Sequence, residues 1–285
     1  MTEELFQLVK KADSNGVIPY SDREHLCWAT LSRTQRQNHR GRACGEYLEG
    51  LASLDLPTDR IPAIGAVSES LYRRSGWRLE VVPGLISFED YFELLARRHF
   101  PCTTFIRSWE ELDLSRDPDI FHEIFGHCPL LTNKAYSRFI QAFAAMLLEA
   151  DPRDRPLLQR LYWFTVEVGL VQTQAGLRIF GGSCLSSIKE CVFCLESDGA
   201  CRLPFDLVKV FRTPYRVDMH QPIYFVMATM ASLYALVDRK RDIKEAMKIA
   251  HALGEFKPLF PVENSPYVHK GYCIGASHEQ VQVGI

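Results

Sequence analysis

Apolar residues recur along most of the chain at the three- and four-residue spacing of amphipathic helices, and only short stretches break that pattern. Ser21 and Glu24 form a candidate capping box ahead of Trp28 and Leu31, which share one helix face. A second helix is expected from Arg42, after Gly41, and the stretch around Pro57 and Pro62 reads as a loop. Ser87 can cap a helix carrying Phe88, Tyr91, Phe92 and Leu95. Asp117 followed by Pro118 has the form of an N-cap with proline at the first helical position. Thr132 opens a long helix through Tyr136, Phe139, Ile140, Phe143 and Leu147, and another is predicted over 157–174. Strand candidates are short, at 177–180, 215–217 and 223–227, and no strand–helix alternation is sustained. The pattern predicts a mainly α fold: one domain of packed helices with small β ribbons. It contains no repeat and no long linker, and the segment after Phe256 lacks coiled-coil heptads.

Composition narrows the classes. With 285 residues and 47% hydrophobic content the chain can bury one substantial core. A net charge of −2 and the lack of a basic stripe argue against nucleic acid. Residues 1–16 are polar and predict no secretory leader. The longest apolar run, 223–237, is shorter than the ~20 residues a bilayer requires and contains Thr229 and Ser232, so it predicts a buried strand leading into a helix. The nine cysteines read as reduced thiols of a cytoplasmic protein. Cys191 and Cys194 form an isolated CxxC, expected inside a helix that starts near Ser186 and Ser187 and read as packed free thiols rather than a redox pair.

The segment 117–130, DPDIFHEIFGHCPL, carries the chemistry. Five steps along a straight helix rotate by ~500°, so the rings of His122 and His127 would diverge by ~140°. They converge only if the helix ends or distorts between them. Gly126 and Pro129 offer the reason, with His122 in the last turn and His127 just beyond it. The extra residue separates this HExxxH from the HExxH of zinc hydrolases, in which the glutamate is the general base. Glu167 is a lone carboxylate in YWFTVEVGL, and burying it is costly unless it is paired or metal-bound. Two histidines and one carboxylate make the facial triad of non-haem iron(II) oxygenases. Taken singly, the histidine pair reads as packing and the glutamate as a group satisfied by an arginine or a backbone donor. Together they point to a metal.

In that order, PDIFHEIFGHCPLL and YWFTVEVGL resemble the pterin-dependent aromatic amino acid hydroxylases, most closely their single-domain bacterial phenylalanine-hydroxylating members. VPGLISFEDYFELLARRHFP, TFIRSWEELD, LSSIKE and LPFDLVKVFRTPYRVD extend the resemblance over about 19–258. It implies a catalytic domain over 19–258, with an N-terminal extension at 1–18 and an irregular tail at 259–285. It also implies iron(II), a tetrahydropterin and O2, with the ring of an aromatic amino acid hydroxylated, phenylalanine to tyrosine by default. Small-molecule partners follow, with no nucleic acid and no membrane. The family's tetramerisation helix has no counterpart, which implies a monomer or weak dimer.

Residue by residue, the resemblance lays the pterin along Gly84, Ile86, Phe88 and Tyr91, with Tyr91 stacking on it and Glu123 facing it through water. For Phe88 and Tyr91 a plain core role competes. Arg107 would grip the substrate carboxylate, the alternative being a surface ion pair with Glu110 or Glu111. Ser115, where the family has threonine, would reach the substrate backbone; Pro118 and Trp163 would wall its ring beside His122. Ser186 and Glu190 match the hydrogen-bonding layer that fixes a ligating histidine's tautomer. The chain departs from the pattern at Val168, where an aromatic is usual and whose size would enlarge the pocket. It departs again at Ser183 and Cys184, where glycine and an aliphatic residue are usual, so that Ser183 would intrude on substrate; Pro101 stands where animal members have histidine. Val217 aligns with a specificity position, apolar where phenylalanine is preferred, although a one-residue shift would present Asp218. These departures leave open tyrosine, tryptophan or broad specificity. A zinc hydrolase using His122, His127 and Glu123, or a non-catalytic binding protein, are the alternatives from other classes.

Overall fold

The structure, a computed structural model, describes residues 9–13, 17–84, 86–112 and 118–260. The first helix, α1 (Asp22–Asn38), opens on the expected box: Ser21 Oγ accepts from the Glu24 amide at 3.4 Å and Glu24 Oε2 accepts from the Ser21 amide at 2.7 Å. Trp28 and Leu31 are fully buried on its inner face. The second, α2 (Gly45–Leu54), starts later than Arg42 because Arg42 to Cys44 are drawn into pairing with Ile179. A helix that the sequence did not announce, α3 (Ile64–Ser75), follows the proline loop. Its N-cap is Ala63, which offers no side-chain acceptor, and it stops at Gly76 in the left-handed region, φ 78°. Two short strands, β1 (Arg78–Val81) and β2 (His99–Cys102), pair in parallel around α4 (Phe88–Ala96), which Ser87 caps as expected. Phe88, Tyr91, Phe92 and Leu95 all face the core, against α6 (Lys134–Leu148). That helix is capped by Asn133 rather than opened by Thr132.

The segment 157–174 is not one helix. It comprises the end of α7 (Arg155–Tyr162), a π turn (Trp163–Glu167) and strand β3 (Leu170–Thr173). Gly169 marks the change, because a Cβ there would lie 2.2 Å from the Phe180 ring and the Thr165 carbonyl. The strands β3, β4 (Gly176–Ile179), β5 (Cys201–Pro204) and β6 (Ile223–Met227) form one sheet in the order β4-β3-β6-β5. Only the β3–β4 pair is antiparallel; β3–β6 and β5–β6 are parallel, so the β part is more than hairpin ribbons. The expected strand at 215–217 is loop. Between β4 and β5 lie a five-residue helix, α8 (Gly182–Ser186), and α9 (Ile188–Glu196), which Ser187 caps and which carries Cys191 and Cys194. Later in the chain come α10 (Leu207–Arg212), α11 (Met230–Tyr234) and α12 (Lys240–Leu253). Strand β6 runs on into α11, as its apolar run implied. Among the described residues no two cysteines are joined, and no helix is long and apolar enough to cross a membrane.

Candidate metal centre and substrate site

The helix bearing both histidines begins at Ile120 and is capped by Asp119, whose Oδ1 accepts from the His122 amide at 2.9 Å. Pro118 thus precedes the helix rather than starting it, and Asp117 lies outside the described residues. From His122 to His127 the backbone makes a π turn, then resumes as α5 (Cys128–Leu131) with Pro129 in its first turn. The distortion demanded by the five-residue spacing is therefore a π turn inside one helix, not a helix end: i→i+5 closure stacks residues five apart on one side. Proline is tolerated because the α register restarts there. Gly126 serves close approach, since a Cβ on it would stand 2.7 Å from the Gly182 carbonyl oxygen. Glu167 ends the second π turn. Each ligand candidate thus comes from a π turn, a form that recurs at functional sites.

His122 Nε2 and His127 Nε2 are 3.1 Å apart, and Glu167 Oε2 lies 3.7 and 3.4 Å from them. All three residues are buried. Burial, with the neighbouring His127, pushes the His122 pKa down to about 4, so its ring stays neutral at physiological pH. Its Nδ1 lies 2.9 Å from Ser186 Oγ, a hydroxyl placed 3.4 Å from the Ser183 carbonyl to which it can donate. An Nδ1–H donating to Ser186 leaves the Nε2 lone pair free. For Glu167, burial acts to raise the pKa, but the two histidines and the Ser183 hydroxyl outweigh it and hold the carboxyl below its usual range. Glu167 Oε1 is buried and has no hydrogen-bond partner among the described residues. Three acceptors turned toward one buried point repel one another unless a cation or a proton lies between them. The spacings suit an ion roughly 2.0–2.2 Å from each, and the donor set fits a divalent metal.

Arg107 is buried rather than on the surface, with Glu111 adding to the field that favours its charge. It pairs with Asp119 through two bonds, Nε to Oδ2 at 2.8 Å and Nη2 to Oδ1 at 2.7 Å, while its amide also reaches Oδ2 at 2.8 Å. Nη1 donates to the Ser186 carbonyl at 3.3 Å. Burial opposes the charge on both partners, but each stabilises the other, so the Arg107 pKa is raised and that of Asp119 lowered. Asp119 escaped the sequence reading, although an aspartate three residues before His122 is an N-cap signal. Trp163 is buried, stacks on Tyr215 at 4.8 Å between centroids, and donates from Nε1 to Gln221 Oε1 at 3.2 Å. Gln221, also unforeseen, connects Trp163 to Glu190, which accepts from the Gln221 amide at 3.1 Å. Among the described residues Glu190 further bonds Tyr224 and His220 rather than His122 or His127, whereas Ser186 Oγ lies against His122 Nδ1.

The Ser183 hydroxyl donates to Glu167 Oε2 at 2.8 Å. Val168 and Cys184 are wholly buried. Val217 is half-buried against the core, and Asp218 is held by Arg216 in a two-point ion pair. Gly84 has φ 101°, Ile86 is half-buried, and Phe88 packs on Phe92. Tyr91 sits deeper than a stacking surface requires: it is 2% exposed, edge-on to Phe92 and Tyr162, with its hydroxyl 2.8 Å from that of Tyr162. Glu123 accepts from the Thr103 amide, and burial pushes its pKa well above the carboxylate range. Tied there and outside the group of converging ligand atoms, it is poorly placed as the base of a zinc hydrolase. Ser115 lies outside the described residues.

The model of the family described as biopterin-dependent aromatic amino acid hydroxylase matches residues 2–253. The phenylalanine-4-hydroxylase of Pseudomonas aeruginosa is 46% identical over 254 residues, 89% of this chain and 96% of its own length. The solved phenylalanine hydroxylase of Legionella pneumophila superimposes with a TM-score of 0.84 at 47% identity, covering 89% of this chain and 100% of that one. The iron- and phenylalanine-bound enzyme of Chromobacterium violaceum gives a TM-score of 0.76 at 37% identity, over 86% and 91% of the two chains.

Proposed function

We infer the activity from family membership: the chain belongs to the biopterin-dependent aromatic amino acid hydroxylases. It is a non-haem iron(II) monooxygenase that uses a tetrahydropterin and O2 to convert phenylalanine to tyrosine. The observation that carries this reading is the convergence of His122, His127 and Glu167 on one buried point, in a chain so similar to phenylalanine hydroxylases. Iron(II) held by those residues supplies, with the pterin, the oxidising power for the ring.

The remaining chemistry belongs to binding and orientation. Arg107, braced by Asp119, offers its remaining N–H groups to the amino acid carboxylate. Pro118 and Trp163 wall the ring, and Trp163 is kept in place by Tyr215 and Gln221. Ser186 fixes the His122 tautomer, and Ser115 meets the substrate backbone. The pterin lies along Gly84, Ile86 and Phe88, with Glu123 turned to it through water; Tyr91 supports that wall from the core. Val217 leaves the ring pocket apolar, favouring phenylalanine, with weaker activity on tyrosine or tryptophan. The free thiols suit a cytoplasmic enzyme, and the chain acts as a monomer or weak dimer. The test is anaerobic reconstitution with iron(II), then O2, a tetrahydropterin and each aromatic amino acid in turn. Tyrosine formed from phenylalanine only when pterin is present is expected. Failure to form it, or faster turnover of tyrosine or tryptophan, overturns the assignment.

A further inference from the structure

One five-residue helix touches all three metal-ligand residues. In α8, Gly182 lies against the His127 ring, where a Cβ would come within 2.3 Å of it. Ser186 Oγ meets His122 Nδ1 at 2.9 Å. Ser183, where the resemblance leads one to expect glycine, puts its hydroxyl 2.8 Å from Glu167 Oε2. A carboxylate's terminal torsion is broad, so little in the side chain itself fixes the plane in which an oxygen faces the histidines. Among the described residues Glu167 Oε1 has no hydrogen-bond partner that could fix that plane instead.

We propose that Ser183 is a positioning residue for the metal centre: by donating to Glu167 Oε2 it fixes that oxygen toward His122 and His127 and leaves Oε1 turned away. The proposal rests on the reading of His122, His127 and Glu167 as metal ligands. Ser183 is itself held, because its carbonyl lies 3.4 Å from the Ser186 hydroxyl that serves His122. A single helical turn thus sets the carboxylate orientation and one imidazole tautomer together. Neither contact requires substrate or pterin, so the effect belongs to metal binding before catalysis.

The test uses the full chain, stripped of metal and titrated with cobalt(II) against a chromophoric chelator. Ser183→Ala and Ser183→Gly both lose the hydroxyl; Ser183→Thr keeps it. A hydrogen bond to a charged group that is lost from a buried site weakens cobalt(II) binding roughly tenfold or more. Both hydroxyl-free variants should show that loss and a changed visible cobalt(II) spectrum, and Ser183→Thr should restore both. A residue that mattered only for folding would lower the melting temperature of the metal-free protein and leave the bound cobalt(II) spectrum as in the parent. Parent affinity and parent spectrum in the hydroxyl-free variants overturn the proposal while leaving the metal centre intact. A parent chain that takes up no cobalt(II) overturns the metal reading, and the proposal with it.

Discussion

Asp119→Asn isolates the buried pair that joins Arg107, proposed to hold the substrate carboxylate, to the helix of His122 and His127. The side chains of Arg107 and Asp119 are 2% and 0% exposed. Asparagine caps a helix as well as aspartate, so its remaining oxygen can still serve the His122 amide and Arg107 Nη2. The new NH2 group then replaces Oδ2 and faces two donors, the Arg107 amide and Nε, both now 2.8 Å from that oxygen. The guanidinium is left as a buried charge without its counter-ion. Breaking such a pair from one side costs about 3–5 kcal/mol. At roughly 2–4 °C per kcal/mol for a chain near this size, the melting temperature should fall by roughly 6–20 °C. Calorimetry of metal-free parent and variant measures the drop without the linkage that iron binding adds. The double variant Arg107→Met with Asp119→Leu removes both charges and should recover much of the stability, although not the phenylalanine KM. Two results refute the reasoning: an Asp119→Asn protein within about 1 kcal/mol of the parent, or a double variant less stable than the single one.

Other expectations follow from the same geometry. His39 is buried with Nε2 2.8 Å from the Leu185 carbonyl, and burial lowers its pKa from 6.5 to about 4. Because the folded-state pKa is depressed, its contribution is present above pH 6.5 and is lost as pH falls toward 4. The shift corresponds to about 3 kcal/mol; denaturant unfolding of His39→Gln across that window should show a shallower acid slope, and an unchanged slope refutes it. Gly182→Ala would set a methyl group 2.3–2.6 Å from His127 ring atoms, so the variant should bind iron poorly; iron content equal to the parent's contradicts this. Val168→Phe should narrow the range of ring substrates in a product assay, and a gain of tryptophan activity would show that Val168 does not shape the pocket.

The candidate ligand set was legible because its signal is local. Two histidines five apart demand a distorted helix, and a lone carboxylate in an aromatic stretch demands a partner. The form of the distortion was not legible: a π turn and a helix end both satisfy the spacing, and no composition marks i→i+5 closure. Helices with a capping serine, α1 and α4, were found; α3, which Ala63 caps without a side chain, was missed. Sheet pairing was missed because β3 meets β6 across more than fifty intervening residues, and that contact leaves no periodic trace. The same holds for the bracing of the site. The planar fork of Arg107 is legible as a carboxylate grip, but its bond to Asp119 depends on how two segments pack. The bond from Ser183 to Glu167 is not legible either, because sequence gives a side chain's identity and not its direction. Glu190, assigned to a histidine by alignment, is spent on Tyr224, His220 and Gln221.

The central claim, that His122, His127 and Glu167 hold the iron on which hydroxylation depends, is tested most directly by the iron content of Glu167→Ala beside the parent after anaerobic reconstitution. Removing one of three protein ligands from a site that no other acid among the described residues completes should reduce bound iron from about one per chain to a small fraction and abolish tyrosine formation, with the helical circular dichroism retained. A Glu167→Ala protein that binds iron and hydroxylates phenylalanine like the parent would contradict the account.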